Sequence, residues 1–403
     1  MKILCALGKY QYGDPARGLS TEYAAFLPAL KNLGHAVVHF ELWNRRAYPS
    51  YAHMNRLLRD AVDREHPDVL LTVQLQNEIF IETLDTLRQR GEVATVCWTT
   101  DDSWKYRQVS RFIGRHYHAM TTTYPDLIPA YHRDGILHVL PTQWAARSDR
   151  LNPPLPFGRC RYPVSFVGEA HGNRKLRMKW LQDQGIAVAC FGYGWPHGPV
   201  SADDVAGIMR DSVISLNFAN ARDQRNQMKA RTFEVPGAGG CLLTETAPDL
   251  DNWYVPDQEI AVFKNDQELV EKIRFFLANP DIRDRMAMAG FQRTAVDHTY
   301  EKRLASVLDL ALSAKNAQRK NGCVHTAAPV SPRVQGNVPP TPIRKDRPLL
   351  MLRNVLIWIC RRIWGNTRGP RAARRIVFEM SWRLAGEKTF SASGWPARIF
   401  PEL

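Results

Sequence analysis

No apolar run in the 403-residue chain reaches the roughly 18 residues that mark a bilayer-spanning helix. Seven cysteines stand at 5, 97, 160, 190, 241, 323 and 360, with no close pair, which argues against a zinc or redox motif. They read as small buried hydrophobes in a reducing compartment. The glycine-bearing stretch 8–18 has no GxGxxG spacing, and GxxxxGK[ST] is absent, so neither a dinucleotide fingerprint nor a phosphate-loop ATPase is indicated. No repeat of solenoid length is evident. The opening residues carry one lysine, Lys2, ahead of an apolar run too short for a secretory leader, and read as a first strand.

Acidic residues are scarce in one region only. Residues 1–318 hold 38 Lys/Arg against 36 Asp/Glu, a net of +2, whereas residues 319–403 hold 16 against 4, a net of +12. A nearly neutral body cannot form a basic groove, which argues against nucleic acid as a partner despite a pI near 9.6. The charge belongs to a tail.

The body alternates short β-rich runs with periodic helical stretches. Strands are predicted at 3–7, 36–42, 69–73, 93–98, 118–123 and 136–140, with helices at 21–33, 54–65, 78–90, 104–117 and 125–133. This pattern predicts a mostly parallel sheet covered on both faces, a Rossmann-like domain over 1–150. The proline-bearing run 151–156 is read as an interdomain connection. Strands at 164–167, 187–191, 213–218, 240–243 and 260–263 then alternate with helices at 173–184, 202–210, 227–235, 266–278, 280–298 and 301–314. They predict a second such domain over 160–315. Two such domains leave a crevice at the carboxyl ends of their sheets, where open α/β folds usually bind ligands.

Four segments carry candidate chemistry. Thr99-Thr100-Asp101-Asp102-Ser103-Trp104 joins a strand to a helix. Asp101 or Asp102 there can act as a base, orient a hydroxyl or hold a cation, or one can cap the helix. Gly168-Glu169-Ala170-His171-Gly172-Asn173-Arg174 brings turn N–H groups and a bidentate guanidinium to a strand end. The run Gly192-Tyr193-Gly194-Trp195 offers a second open strand end, with packing an equal reading for Trp195. In Lys229–Glu245, Lys229 and Arg231 can neutralise charge growing on a diphosphate leaving group, and Glu234 can accept hydrogen bonds from ribose hydroxyls. Gly239 and its small neighbours permit close backbone approach. Asn217, at the end of the 213–218 strand, either contacts sugar or phosphate or caps its loop. No metal or other cofactor is required, since basic side chains and helix N-termini can stabilise a diphosphate themselves.

The run KARTFEVPGAGGCLLTE at 229–245, the segment Phe263-Lys264-Asn265-Asp266-Gln267-Glu268-Leu269 and the ending at 280–300 resemble the C-terminal domain of CgeB-like, spore-maturation-protein glycosyltransferases. The likeness covers residues 160–315 and, more loosely, 1–140. It implies the GT-B class, with two Rossmann-like domains facing across a cleft. The second domain would bind a nucleotide-diphosphate sugar and the first an acceptor. That wider class often carries a Glu-x7-Glu pair, of which Glu234 matches the second member while Asn226 stands in place of the first. The departure leaves open whether the reaction would retain or invert configuration.

Residues 316–343 are polar and proline-bearing and are read as a flexible tether. Beyond it, in 344–403, two basic amphipathic helices are expected. Leu349, Leu352, Leu356, Ile359 and Ile363 would form one apolar side, and Ile376, Val377, Met380 and Leu384 another. They fit an anionic membrane surface over 344–385, or docking on the enzyme's own body or on an oligomer partner. The leading expectation is a cytoplasmic-side glycosyltransferase, peripheral on the inner membrane face and a candidate member of a glycan-synthesis complex. Its acceptor would be a glycan, lipid-linked saccharide or surface polymer. The alternative is a non-catalytic sugar-nucleotide sensor or scaffold; an epimerase of related fold ranks third.

Overall fold

The computed structural model describes residues 1–44, 47–219, 226–320 and 347–401. It divides into two units, Met1–Thr142 with Ala305–Leu403, and Gln143–Leu304.

In the first unit, strands β1 (Lys2–Leu7), β2 (Ala36–Glu41), β3 (Val69–Thr72), β4 (Ala94–Cys97), β5 (Ala119–Thr122) and β6 (Val139–Pro141) form one sheet. Its order is β2-β1-β3-β4-β5-β6 and every pairing is parallel. Strands β3, β4 and β5 are buried along their whole length, as expected of strands covered on both faces. The connecting helices are α1 (Thr21–Asn32), α2 (Tyr51–Glu65) and α3 (Ile81–Arg90), then α4 (Asp102–Lys105), α5 (Arg111–Ile113) and α6 (Ile128–Arg133). Ser20 and Ser50 start α1 and α2 by accepting the Tyr23 and His53 N–H groups. The glycine-bearing loop after β1 is built on Trp43: a Cβ on Gly8 would meet the indole at 2.1 Å.

The helix expected over 104–117 is broken. Between α4 and α5 lies one π turn, Tyr106–Ser110, and a 3-10 turn, Gly114–His116, follows. The extra residue of the π turn aims Ser110 back at Asp102, a contact that regular helical spacing would not give.

The second unit holds β7 (Tyr162–Val167), β8 (Ala189–Phe191), β9 (Ser212–Asn217), β10 (Leu242–Glu245) and β11 (Ala261–Phe263), in the order β11-β10-β9-β7-β8 and again all parallel. Its helices are α7 (Arg174–Asp183), α8 (Ala202–Arg210), α9 (Arg231–Gly237), α10 (Asp266–Ala278) and α11 (Pro280–Asp297). A capping box starts α10, with Asn265 accepting from the Glu268 N–H and Glu268 from the Lys264 N–H. Fully buried Arg283 of α11 donates to the carbonyls of Val213, Ser212 and Leu155, tying β9 to the chain that enters the unit.

Several expected boundaries move. The 151–156 run belongs to the second unit, because Asn152 N–H donates to Gly237 O at 3.0 Å and Phe157 N–H to the Asp284 carboxylate. Helix α9 begins at Arg231 rather than 227. Helix α12 (Tyr300–Lys320) continues through 316–320, which are therefore helical rather than tether; 321–343 lie outside the described residues.

The tail is α13 (Arg347–Ala385), interrupted at Gly365, where φ is 76°, and α14 (Trp395–Ile399). The two halves of α13 and α14 share a small core of Cys360, Ala373, Val377, Ile399 and Phe400. Close approach of the halves requires Gly369, whose Cβ would lie 2.7 Å from the Arg361 backbone. A 3-10 turn, Gly386–Phe390, docks on α5, with Phe390 and Phe112 rings 5.7 Å apart and Glu387 paired to Arg115 at 3.1 Å. The tail is thus part of the first unit.

Candidate functional site

In the second sheet the connections run to opposite sides between β7 and β9, and the carboxyl ends of those strands mark a ligand crevice by topology alone. Gly168 follows β7 and Asn217 ends β9. The Gly168 turn lies close under the arginine, since a Cβ there would sit 3.1 Å from both Arg231 Nη1 and the Phe166 ring. Gly168 N–H donates to Phe191 O, and Trp195 Nε1 donates to Gly168 O at 2.7 Å, so Trp195 packs and fixes this turn. Gly194 adopts φ 84° beside Ala170, holding the adjoining strand-end turn.

Two guanidiniums converge here. Arg174 at the start of α7 and Arg231 at the start of α9 lie 5.3 and 5.7 Å from the centre of the same Phe166 ring. Arg174 is 2% exposed; its Nη1 donates to Glu169 O, while its buried Nε has no partner among the described residues. Burial, and then the charge of Arg231, pulls the Arg174 guanidinium down to about 10. Burial also lowers Arg231, with Glu234 opposing. Among the described residues, neither arginine makes an ion pair. His171 beside them is held below its ordinary value by burial and then by Arg174, with Lys229 and Arg231 adding to the effect.

Asn217 is wholly buried and spends its amide on the protein: Oδ1 accepts from Arg231 Nε at 3.3 Å and Nδ2 donates to Thr244 Oγ1 at 3.0 Å. It orients Arg231 and, wholly buried, presents its amide to the protein rather than to a sugar. Glu234 lies one helical turn from Arg231 and is half-buried; burial raises its carboxyl, tempered by Arg231 and Arg147. Asn226 donates to Thr246 O. Gly239, expected at the ligand, faces the protein instead. Its φ is 86° and a Cβ would strike Asn152 O at 2.5 Å, so its smallness serves the chain that enters the unit.

In the first unit the two aspartates part company. Asp102 is 1% exposed and accepts four hydroxyls, from Thr99, Ser110, Thr122 and Tyr131, at 2.7–2.8 Å. Burial raises its carboxyl and those hydroxyls oppose the rise. A carboxylate so enclosed cannot reach an acceptor, which corrects the reading of Asp102 as a base. Asp101, half-buried at the carboxyl end of β4, takes the left-handed conformation with φ 58° and ψ 33°. Strain of that kind in a non-glycine residue collects at functional sites. The Asp102 partners were legible only as a hydroxyl-rich pattern at 99–100 and 121–123. Ser110 depends on the π turn, which no spacing announced.

Residues 174–309, a third of the chain, match the family model described as glycosyl transferase-like. No match was found among curated protein sequences. The fold of most of the chain resembles solved glycosyltransferase structures. Sucrose-phosphate synthase from Thermosynechococcus elongatus is 11% identical with a TM-score of 0.55, the alignment covering 80% of this chain and 99% of that one. A glycosyltransferase from Rickettsia africae is 10% identical with a TM-score of 0.51, covering 79% and 98%. AviGT4, a glycosyltransferase involved in avilamycin A biosynthesis, is 11% identical with a TM-score of 0.50, covering 77% and 98%. The chain has the GT-B fold, and its second unit carries a glycosyl transferase-like domain.

Proposed function

We propose that this protein is a CgeB-like glycosyltransferase that moves a sugar from a nucleotide-diphosphate donor to a hydroxyl of a glycan, lipid-linked saccharide or surface polymer. The observation that carries the reading is the meeting of buried Arg174 and half-buried Arg231 on one aromatic ring at the β7/β9 strand ends. A diphosphate supplies the acceptor oxygens that the Arg174 Nε lacks. As the acceptor oxygen bonds to the anomeric carbon, the bond to the diphosphate breaks and its electron pair leaves with the phosphate oxygen. Arg231, Arg174 and Lys229 stabilise that growing charge without a metal. Glu234 receives the ribose hydroxyls, and the Gly168 and Gly194 turns keep the strand ends open to the donor. Asp101 takes the acceptor proton if configuration inverts, or orients the acceptor if it is retained; Asp102 holds the turn on which Asp101 stands.

The enzyme is proposed to work at the inner face of the cytoplasmic membrane, held peripherally by its tail. Among the described residues no helix is long and apolar enough to cross a membrane. A sugar-nucleotide binding screen followed by product analysis with membrane extract tests the reaction. Transfer by the wild type, lost with Arg231→Ala while the unfolding midpoint holds, is the expected result. Donor binding without any turnover would make the protein a sensor, and unchanged donor affinity in Arg231→Ala would remove the phosphate role.

A further inference from the structure

The tail hairpin buries one side of its first half and leaves a second apolar side uncovered. Leu356 and Cys360 turn into the core shared with the second half and α14. Met351, Leu352, Val355, Trp358, Ile359 and Ile363, at spacings of three and four residues, lie on the other side and are 41–71% exposed. The single apolar side expected from the sequence is therefore split, with Leu349 and Leu356 packing inward and Leu352, Ile359 and Ile363 facing out.

The hairpin that carries this side is rich in cations. Residues 347–385 contain nine arginines and one acid, Glu379, which is already engaged by Arg383 at 2.6 Å and Arg375 at 3.9 Å. Arg361, Arg362, Arg368 and Arg371 are exposed, and the Arg362 guanidinium lies 5.3 Å from the Trp358 ring centre. Nucleic acid would satisfy the arginines and leave the apolar stripe wet. A lipid surface answers both, with acyl chains under the stripe and anionic headgroups around the arginines.

We propose that this outer face, centred on Val355, Trp358 and Ile359, lies in the headgroup region of an anionic bilayer. The inference rests on the peripheral location proposed above and assigns it to one face. Because the Gly386–Phe390 turn is docked on α5, the bilayer would be met by the first unit itself rather than by a loose anchor.

Flotation of the full chain with vesicles tests the assignment. With equal parts of phosphatidylcholine and phosphatidylglycerol the wild type is expected to float, and with phosphatidylcholine alone its partitioning falls about tenfold or more, as it does at high salt. Val355→Glu with Ile359→Glu lowers partitioning to anionic vesicles by about tenfold or more. Both positions are exposed, so sugar-nucleotide binding stays at the wild-type value and reports that the fold is intact. Trp358→Phe removes a component of tryptophan quenching by brominated lipid. No flotation of the wild type would overturn the membrane location, leaving the transfer reaction untouched. Flotation unchanged in the double variant would overturn this face alone. A dimer in solution that the double variant dissociates, with no flotation of the wild type, would give the face to a second copy.

Discussion

Asp102 and Arg174 are equally hidden from water, 1% and 2% exposed, and carry opposite charges, yet their surroundings treat them differently. Four hydroxyls from four separate stretches of the first unit close around Asp102 and leave it nothing to offer. Arg174, with Arg231 beside it, keeps a buried donor without an acceptor. A buried charge whose bonds are all made within the chain holds a structure together. One whose bonds remain to be made costs stability until something else completes them, and so points to a ligand. The same contrast separates Asn217, fully used within the protein, from Glu234, whose carboxylate accepts no hydrogen bond among the described residues.

The largest effect expected from this contrast is on turnover. Arg231→Ala should lower kcat by about 10²–10³ with little change in the urea midpoint, and Arg231→Lys should not restore it because the fork geometry is lost. A comparable fall in stability instead would make the arginine pair structural and collapse the distinction. Asp102→Ala should do the reverse, removing about 3 kcal/mol or more of stability by stranding the Ser110, Thr122 and Tyr131 hydroxyls while Thr99 keeps its bond to Thr121 O, measured by urea unfolding. A stable but inactive Asp102→Ala would return Asp102 to the chemistry.

An acid titration places the two units on equal terms. Burial pulls His118 in the first unit and His298 in the second from 6.5 to about 4. Their folded values lie below their unfolded ones, so the stability each contributes is complete above about pH 6.5 and is lost as pH falls toward 4. Unfolding midpoints followed between those limits should drop for both units, and acid loss confined to one would break the symmetry. The smallest effect on stability belongs to Asp101. Asp101→Gly relieves a left-handed residue and should raise stability by up to about 1 kcal/mol while transfer falls about 10²–10⁴-fold if Asp101 is the base. Calorimetry and product analysis on the same preparation read both.

Much of the fold was legible. The buried four-residue strands and the capped helices 21–32 and 266–278 follow from local patterns of apolar residues and capping side chains, and their limits moved by a residue or two. What could not be read depended on distant partners. The proline-bearing run at 151–156 looked like a connection because its hydrogen bonds to Gly237 and Asp284 lie about 85 and 127 residues away. Gly239 looked ligand-facing for the same reason, its crowding partner being a carbonyl at Asn152. In the candidate site, Arg174 and Arg231 were nameable as phosphate donors, but their meeting on Phe166 required the β7/β9 pairing. The division of labour between Asp101 and Asp102 was invisible, because adjacent residues share a sequence neighbourhood and not a direction.

The π turn at Tyr106–Ser110 acts as a phase setter for the chain on either side of it. Upstream it brings Ser110 to Asp102; downstream it sets the azimuth at which Phe112 meets Phe390 of the tail. Rewinding that turn as regular α-helix, with its residue count kept, would turn everything beyond it by about 100°. The aspartate turn and the seat of the tail would be lost in one step. Regularising this turn is therefore closed to the protein, whereas substitution along its outer surface remains open.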